Sequence, residues 1–149
     1  MVSRWQRHMA TVRGSHTSSC VVIVDDDPVG REAMVAPLRR AGFEVVEADD
    51  GLGGFDALRR SRPKVAIIDV FLPNMSGLEL CERIRANPGT CDAFVILVTG
   101  IAEPDELPEM ALSAGADMAL SKPIDPERMV EIVSGAVRGV GANDLTSLD

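Results

Sequence analysis

The chain has 149 residues, 46% of them hydrophobic, enough for one domain with a sizeable core, and no apolar run approaches the roughly 18 residues a membrane span requires. Its net charge of −8 is unevenly placed: residues 1–19 carry Arg4, Arg7 and Arg13 and no acid, while the remainder holds 12 basic and 23 acidic side chains, a balance of −11. A body that acidic, whose aromatic residues are only Phe43, Phe55, Phe71 and Phe94, repels a phosphate backbone and offers little surface for stacking bases, which argues against direct nucleic-acid binding as well as membrane insertion.

Residues 1–19 are expected to be a disordered basic extension, without the apolar stretch of a secretory signal, and Met9 is an alternative start of translation. "CVVIVDDDP" (20–28) is an apolar strand closed by acids, and Asp27-Pro28 supplies an N-cap followed by an N1 proline. The helix that follows ends at Gly42, and Pro37 inside it should kink it or cost stability. "FEVVEA" (43–48) predicts a second strand and "LGGFDALRRS" (52–61) a helix weakened by two glycines. "KVAIID" (64–69) is a third strand, "SGLELCERIRA" (76–86) a helix with Leu78, Cys81 and Ile84 on one face, and "AFVILVT" (93–99) a fourth strand. "PDELPEMALSAG" (104–115) predicts a helix disturbed near its start by Pro108. "DMALSKP" (117–123) ends a fifth strand, and a second Asp-Pro start opens a closing helix over 125–139. Residues 140–149 are expected to be a short polar tail, which leaves 20–139 as the domain.

Strand and helix thus alternate five times, with three strands apolar throughout. Continuous apolar strands are buried on both faces, which implies a parallel sheet with helices on either side, and such folds place function beyond the carboxyl ends of the strands. The chemistry available there is limited. Both histidines, His8 and His16, lie in the extension, so the body has none for base catalysis or metal ligation. Cys20, Cys81 and Cys91 are odd in number and lack CxxC spacing, which fits reduced thiols in the cytoplasm better than disulfides or zinc.

The strand ends carry Asp25 and Asp26, Asp69, Thr99, and Lys122 followed by Pro123. An acid at the end of a buried strand is a cap, a metal ligand or a nucleophile. Three converging carboxylates stay ionised only beside a cation, and an all-oxygen ligand set favours Mg²⁺ (or Mn²⁺). Lysine adds a charge suited to an anion and Thr99 adds a donor. The set fits transfer of a phosphoryl group with Asp as nucleophile. Asn74 and Ser76 suit a turn and an N-cap better than a site. "GLGGFD" (51–56) hints at a dinucleotide loop, but its sixth residue is Asp56 and it follows the second strand.

"VVIVDDDP", "IIDVFLPNMSG", "ILVTG" and "LSKP", in that order over roughly residues 20–138, closely resemble the motifs of the response-regulator receiver domain of two-component signalling. The resemblance implies a flavodoxin-like doubly wound (βα)5 sandwich with strand order 2-1-3-4-5. It also implies that Asp69 accepts phosphate from a phosphohistidine of a sensor histidine kinase or histidine phosphotransfer protein. Asp26, Asp25, Asp69 and the Phe71 carbonyl would hold Mg²⁺, and Thr99 and Lys122 would bind phosphoryl oxygens. Pro123 would follow a cis peptide. The protein would act as a switch through protein partners, not as a turnover enzyme, with a phosphorylation-dependent homodimer left open.

The chain departs from the family pattern at Ala119, three residues before the lysine, where many receivers carry Tyr or Phe as a rotamer switch. Pro104 and Pro108 flank a helix through which many receivers signal, so transmission through the 99–110 loop is expected instead. Phe71 and Ile101, each two residues past a site residue, are apolar and predict a long-lived phosphoaspartate. A receiver cut from a hybrid kinase or longer regulator is the first alternative. A pseudo-receiver that is not phosphorylated is another. An Asp-nucleophile phosphatase is disfavoured because Phe71 occupies the place of its usual second acid.

Overall fold

The computed structural model describes residues 19–101 and 103–145. Residues 1–18 of the expected basic extension and 146–149 of the expected tail lie outside them. The elements in order are β1 (Cys20–Val24), α1 (Pro28–Arg40), β2 (Glu44–Ala48), α2 (Gly51–Ser61), β3 (Val65–Asp69), α3 (Gly77–Ala86), β4 (Phe94–Thr99), a 3-10 turn (Pro104–Glu106), α4 (Leu107–Ala114), β5 (Met118–Ser121), α5 (Pro126–Val137) and α6 (Ala142–Leu145).

All strand pairings are parallel and the order is β2-β1-β3-β4-β5. The period-two alternation of a strand sorts its side chains between two cores. Val21, Ile23, Val65, Ile67, Ile96 and Val98 face α1 and α5, meeting Val35, Leu38, Ile132 and Val133. Val22, Val24, Ala66, Ile68, Val95 and Leu97 face the other helix layer, meeting Leu58, Leu80 and Ile84. Each fully buried aliphatic contributes about 1.5–3 kcal/mol. Burial on both faces explains why β1 and β3 carry no polar residue before their ends. The fold is the flavodoxin-like doubly wound sandwich that the sequence implies. Successive connections leave β1 in opposite directions across the sheet, which opens a crevice at the carboxyl ends of β1 and β3.

Local signals account for the helix starts. Asp27 accepts from the Val29 and Gly30 amides, Asp50 from Gly53, Ser76 from Glu79 and Asp125 from Arg128, each such cap being worth about 1 kcal/mol. Asn74 takes a left-handed φ of 69° just before the Ser76 cap, as a turn residue should. Gly54 has a packing role instead of merely weakening α2. A Cβ there would stand 2.7 Å from Val24 Cγ2, so its absence lets α2 lie close on β1.

Two local expectations need correction. The helix expected over 104–115 divides into the 3-10 turn and the eight-residue α4, with Pro108 in the first turn, where its missing N–H costs nothing. Pro37 lies inside α1 as expected, buried in its last turn, and the helix runs on to Arg40. Residues 140–145, expected as polar tail, pack on the domain: α6 delivers Leu145, with 0% exposure, into the α1–α5 core, and Val140 and Ala142 pack against it. Leu145 is an isolated apolar residue in a polar run, so no periodicity announces it.

Candidate functional site

β1 and β3 are central strands, and register places their ends side by side, so Asp25 and Asp69 meet in the crevice. Carboxylate oxygens of Asp25, Asp26 and Asp69 all lie within 4.8 Å of one another. Asp25 is fully buried and Asp69 nearly so, whereas Asp26 is exposed. The Lys122 ammonium spans the two buried acids, donating to Asp69 Oδ2 at 2.6 Å and Asp25 Oδ2 at 3.0 Å. Their other oxygens accept backbone N–H groups: Asp27 N donates to Asp25 Oδ1 and Phe71 N to Asp69 Oδ1, both at 2.9 Å.

Lys122 reaches this position from the end of β5. Its own amide donates to the Thr99 carbonyl at 2.9 Å, and the Lys122–Pro123 peptide is cis, as the motif implies. Burial alone would push the ammonium pKa down. Hydrogen bonds and charge from Asp69 and Asp25 outweigh that and hold it above the ordinary lysine value. Thr99 is wholly buried at the end of β4, its Oγ1 accepting from the Ile101 amide at 3.4 Å. The three acids and Lys122 therefore converge, and Thr99 adjoins Lys122 through its backbone carbonyl. Phe71 is held by its amide against Asp69 while its side chain stands 56% exposed.

This donor set suits a divalent ion. Carboxylate oxygens are the hard ligands that Mg²⁺ and Mn²⁺ prefer. Three acids against one ammonium leave an excess of negative charge that a second cation would offset.

Arg31 was not foreseen. Its Nη1 donates to the Asp25 carbonyl at 2.7 Å and its Nε to Glu47 Oε1 at 3.0 Å. A signal existed: a cation near the start of a helix opposes the macrodipole, so something else must hold it there. At the opposite end of the sheet, Arg85 donates to the carbonyls of Cys91, Ala93 and Gly115 and pairs with Asp117, binding together the loops before β4 and β5. No helix among the described residues is long and apolar enough to cross a membrane.

A family model for the response regulator receiver domain matches residues 21–134. The transcriptional regulatory protein CseB of Streptomyces avermitilis is 38% identical over 121 residues, covering 81% of this chain and 50% of its own length. A cyclic di-GMP phosphodiesterase of Thermotoga maritima is 35% identical over 118 residues, covering 79% of this chain and 31% of its own. The chain thus spans half or less of the length of these relatives. Among solved structures, the chemotaxis response regulator CheY4 of Vibrio cholerae superposes with a TM-score of 0.73 at 28% identity, covering 80% of this chain and 99% of that one. The chain belongs to the response regulator receiver domain family of two-component signalling.

Proposed function

We propose that Asp69 is a phosphoacceptor, taking a phosphoryl group from a phosphohistidine on a sensor kinase or a histidine phosphotransfer protein. The observation that carries this is the single ammonium of Lys122 held on Asp69 and Asp25 together. It keeps the Asp69 carboxylate at the mouth of the sheet, in contact with a cation that can follow a phosphoryl oxygen. In the transfer, one Asp69 oxygen attacks phosphorus, the N–P bond breaks, an O–P bond forms, and the departing imidazole nitrogen keeps the electron pair and takes up a proton. Lys122 pairs with one phosphoryl oxygen and the Thr99 hydroxyl donates to another.

Asp25, Asp26, Asp69 and the Phe71 carbonyl would hold Mg²⁺ or Mn²⁺. When bound, that ion supplies charge neutralisation between the acids and the incoming phosphoryl oxygens. The protein modifies itself and turns over no external substrate; it acts in the cytoplasm through protein partners. With Ala119 in β5 in place of an aromatic switch, the change at Thr99 passes to the following loop, where Ile101 stands 76% exposed. The same chemistry serves a receiver that forms one part of a longer regulator or hybrid kinase, a second reading favoured by relatives at least twice as long as the matched segment.

Intact-protein mass spectrometry after incubation with acetyl phosphate and Mg²⁺ tests the proposal. One added phosphoryl group, absent from Asp69→Asn and from reactions with chelator, is expected. No addition to the wild type under any condition would leave a pseudo-receiver that binds partners without phosphorylation.

A further inference from the structure

We infer that Arg31 is a positioning residue for the metal-binding acids, its guanidinium holding the Asp25–Asp26 peptide so that Asp26 faces the cluster. The inference rests on the metal reading above.

Asp25 is fixed through every polar atom. Its N–H donates to the Ala48 carbonyl at 3.1 Å, its Oδ1 accepts from Asp27, its Oδ2 from Lys122 and its carbonyl from Arg31. Asp26 differs. It is exposed, and among the described residues its side chain makes no hydrogen bond. With no side-chain contact to hold it, the place from which its carboxylate reaches the cluster depends on the peptide group it shares with Asp25, and the side chain bonded to that carbonyl is Arg31.

Arg31 is itself pinned. Glu47 on β2 takes its Nε at 3.0 Å and also accepts from Arg39 Nη2 at 3.3 Å. Glu47 thereby does two things: it fixes the plane of the guanidinium, and it offsets a positive charge that would otherwise repel a divalent cation a short distance away. The two bonds leave different nitrogens, Nε toward Glu47 and Nη1 toward the Asp25 carbonyl, so the rigid guanidinium fork fixes the spacing between these two acceptors. A lysine has the charge but not the fork.

The alternative is that Arg31 only staples α1 to β2, as Arg39 does by reaching Glu47 and the Val45 carbonyl at 3.1 Å. Metal affinity separates the two roles. Removing a cation near a metal site should tighten binding on electrostatic grounds alone. Releasing the Asp25–Asp26 peptide should weaken it.

The test is Mn²⁺ titration of the whole chain, followed by water proton relaxation, for wild type, Arg31→Lys, Arg31→Met and Arg39→Met. Folding of each is checked by circular dichroism. Outer-shell partners of metal ligands are typically worth 10- to 100-fold in affinity. Arg31 acts one bond further out, so a loss of about tenfold is expected for both Arg31 variants, with Arg39→Met unchanged. Wild-type or tighter affinity in either folded Arg31 variant would overturn the inference, as would an equal loss in Arg39→Met. If Arg31→Met fails to fold, Arg31→Lys decides alone at unchanged net charge. A wild type that binds no Mn²⁺ would sink the metal reading as well, and is distinguishable because it needs no variant.

Discussion

Gly77 stands directly against the backbone of Asp69. A Cβ at 77 would overlap the Asp69 carbonyl oxygen and lie 2.8 Å from the Val70 Cα, and neither atom belongs to a side chain that can turn aside. The Gly77 amide donates to the Val70 carbonyl at 2.8 Å, so α3 begins pressed onto the strand that ends in Asp69. Gly77→Ala must push α3 off β3. The expected cost is about 2–3 kcal/mol in urea unfolding, with slower phosphorylation of Asp69 by acetyl phosphate. Wild-type stability and rate together would mean that α3 can retreat without disturbing the site.

Lys122 gives a pH dependence with a definite sign. Its pKa in the folded protein is raised above 10.5, because its contacts with Asp69 and Asp25 overcome the opposing effect of burial. A group raised on folding contributes stability fully below its unfolded pKa and loses it as pH climbs through the folded value. The stability of wild type over Lys122→Met should therefore be steady from neutral pH to about pH 9.5 and shrink above 10.5, through the raised folded value. At neutral pH the variant is expected to lose about 1–2 kcal/mol, since Asp25 and Asp69 remain buried with one donor fewer. Urea midpoints for both proteins across that pH range measure the difference. A gap that widens with rising pH would contradict the assignment of Lys122 as the charged partner.

Most of the fold was legible because two physical codes coincide in it. Apolar strands such as Val21–Val24 and Val65–Ile68 announce burial on both faces, and Asp27-Pro28 and Asp125-Pro126 announce helix starts. Asp69, Thr99 and Lys122 were legible for the same reason: a polar residue at the end of an apolar run needs an explanation, and the topology gathers those ends in one place. Arg31 was not, because its contact with the Asp25 carbonyl depends on how α1 crosses β1 and β2 and not on spacing. Gly77 was hidden likewise, since close approach of a helix to a strand leaves no trace in periodicity. The irregularity expected near Pro108 takes the form of the 3-10 turn over Pro104–Glu106, after which α4 begins at Leu107.

Leu145 extends the core beyond the boundary expected at residue 139. It is fully buried among the residues of the α1–α5 face, and the space above Gly135 is the space it fills: a Cβ on Gly135 would overlap Leu145 Cδ2. Leu145→Ala should cost about 2–4 kcal/mol in urea unfolding, a cavity effect. Truncation after Gly139 should cost at least as much. Leu112, 81% exposed on α4, is the control, and its replacement by alanine should change stability by less than about 0.5 kcal/mol. Equal, small effects at both positions would show that α6 adds nothing to the domain.

The proposed phosphorylation of Asp69 makes Phe71 and Ile101 the residues expected to govern how long that state lasts. Each uses its amide to hold a site side chain, Phe71 on Asp69 Oδ1 at 2.9 Å and Ile101 on Thr99 Oγ1 at 3.4 Å, while its own side chain stands exposed beside the crevice. Hydrolysis of an aspartyl phosphate needs water on the far side of phosphorus, in line with the Asp69 oxygen. Apolar side chains that flank this approach would neither orient the water nor accept its proton. Phe71→Asn keeps the backbone amide that holds Asp69 and adds a carbonyl and an amide at the approach. The dephosphorylation rate of Phe71→Asn, followed as decay of the added mass after removing acetyl phosphate, should rise severalfold over wild type. Phosphorylation by acetyl phosphate should be nearly unchanged, because the acids, Lys122 and Thr99 are untouched. An unaltered decay rate would mean that water reaches phosphorus by a route that avoids both side chains, and Ile101 would then carry no argument for lifetime either.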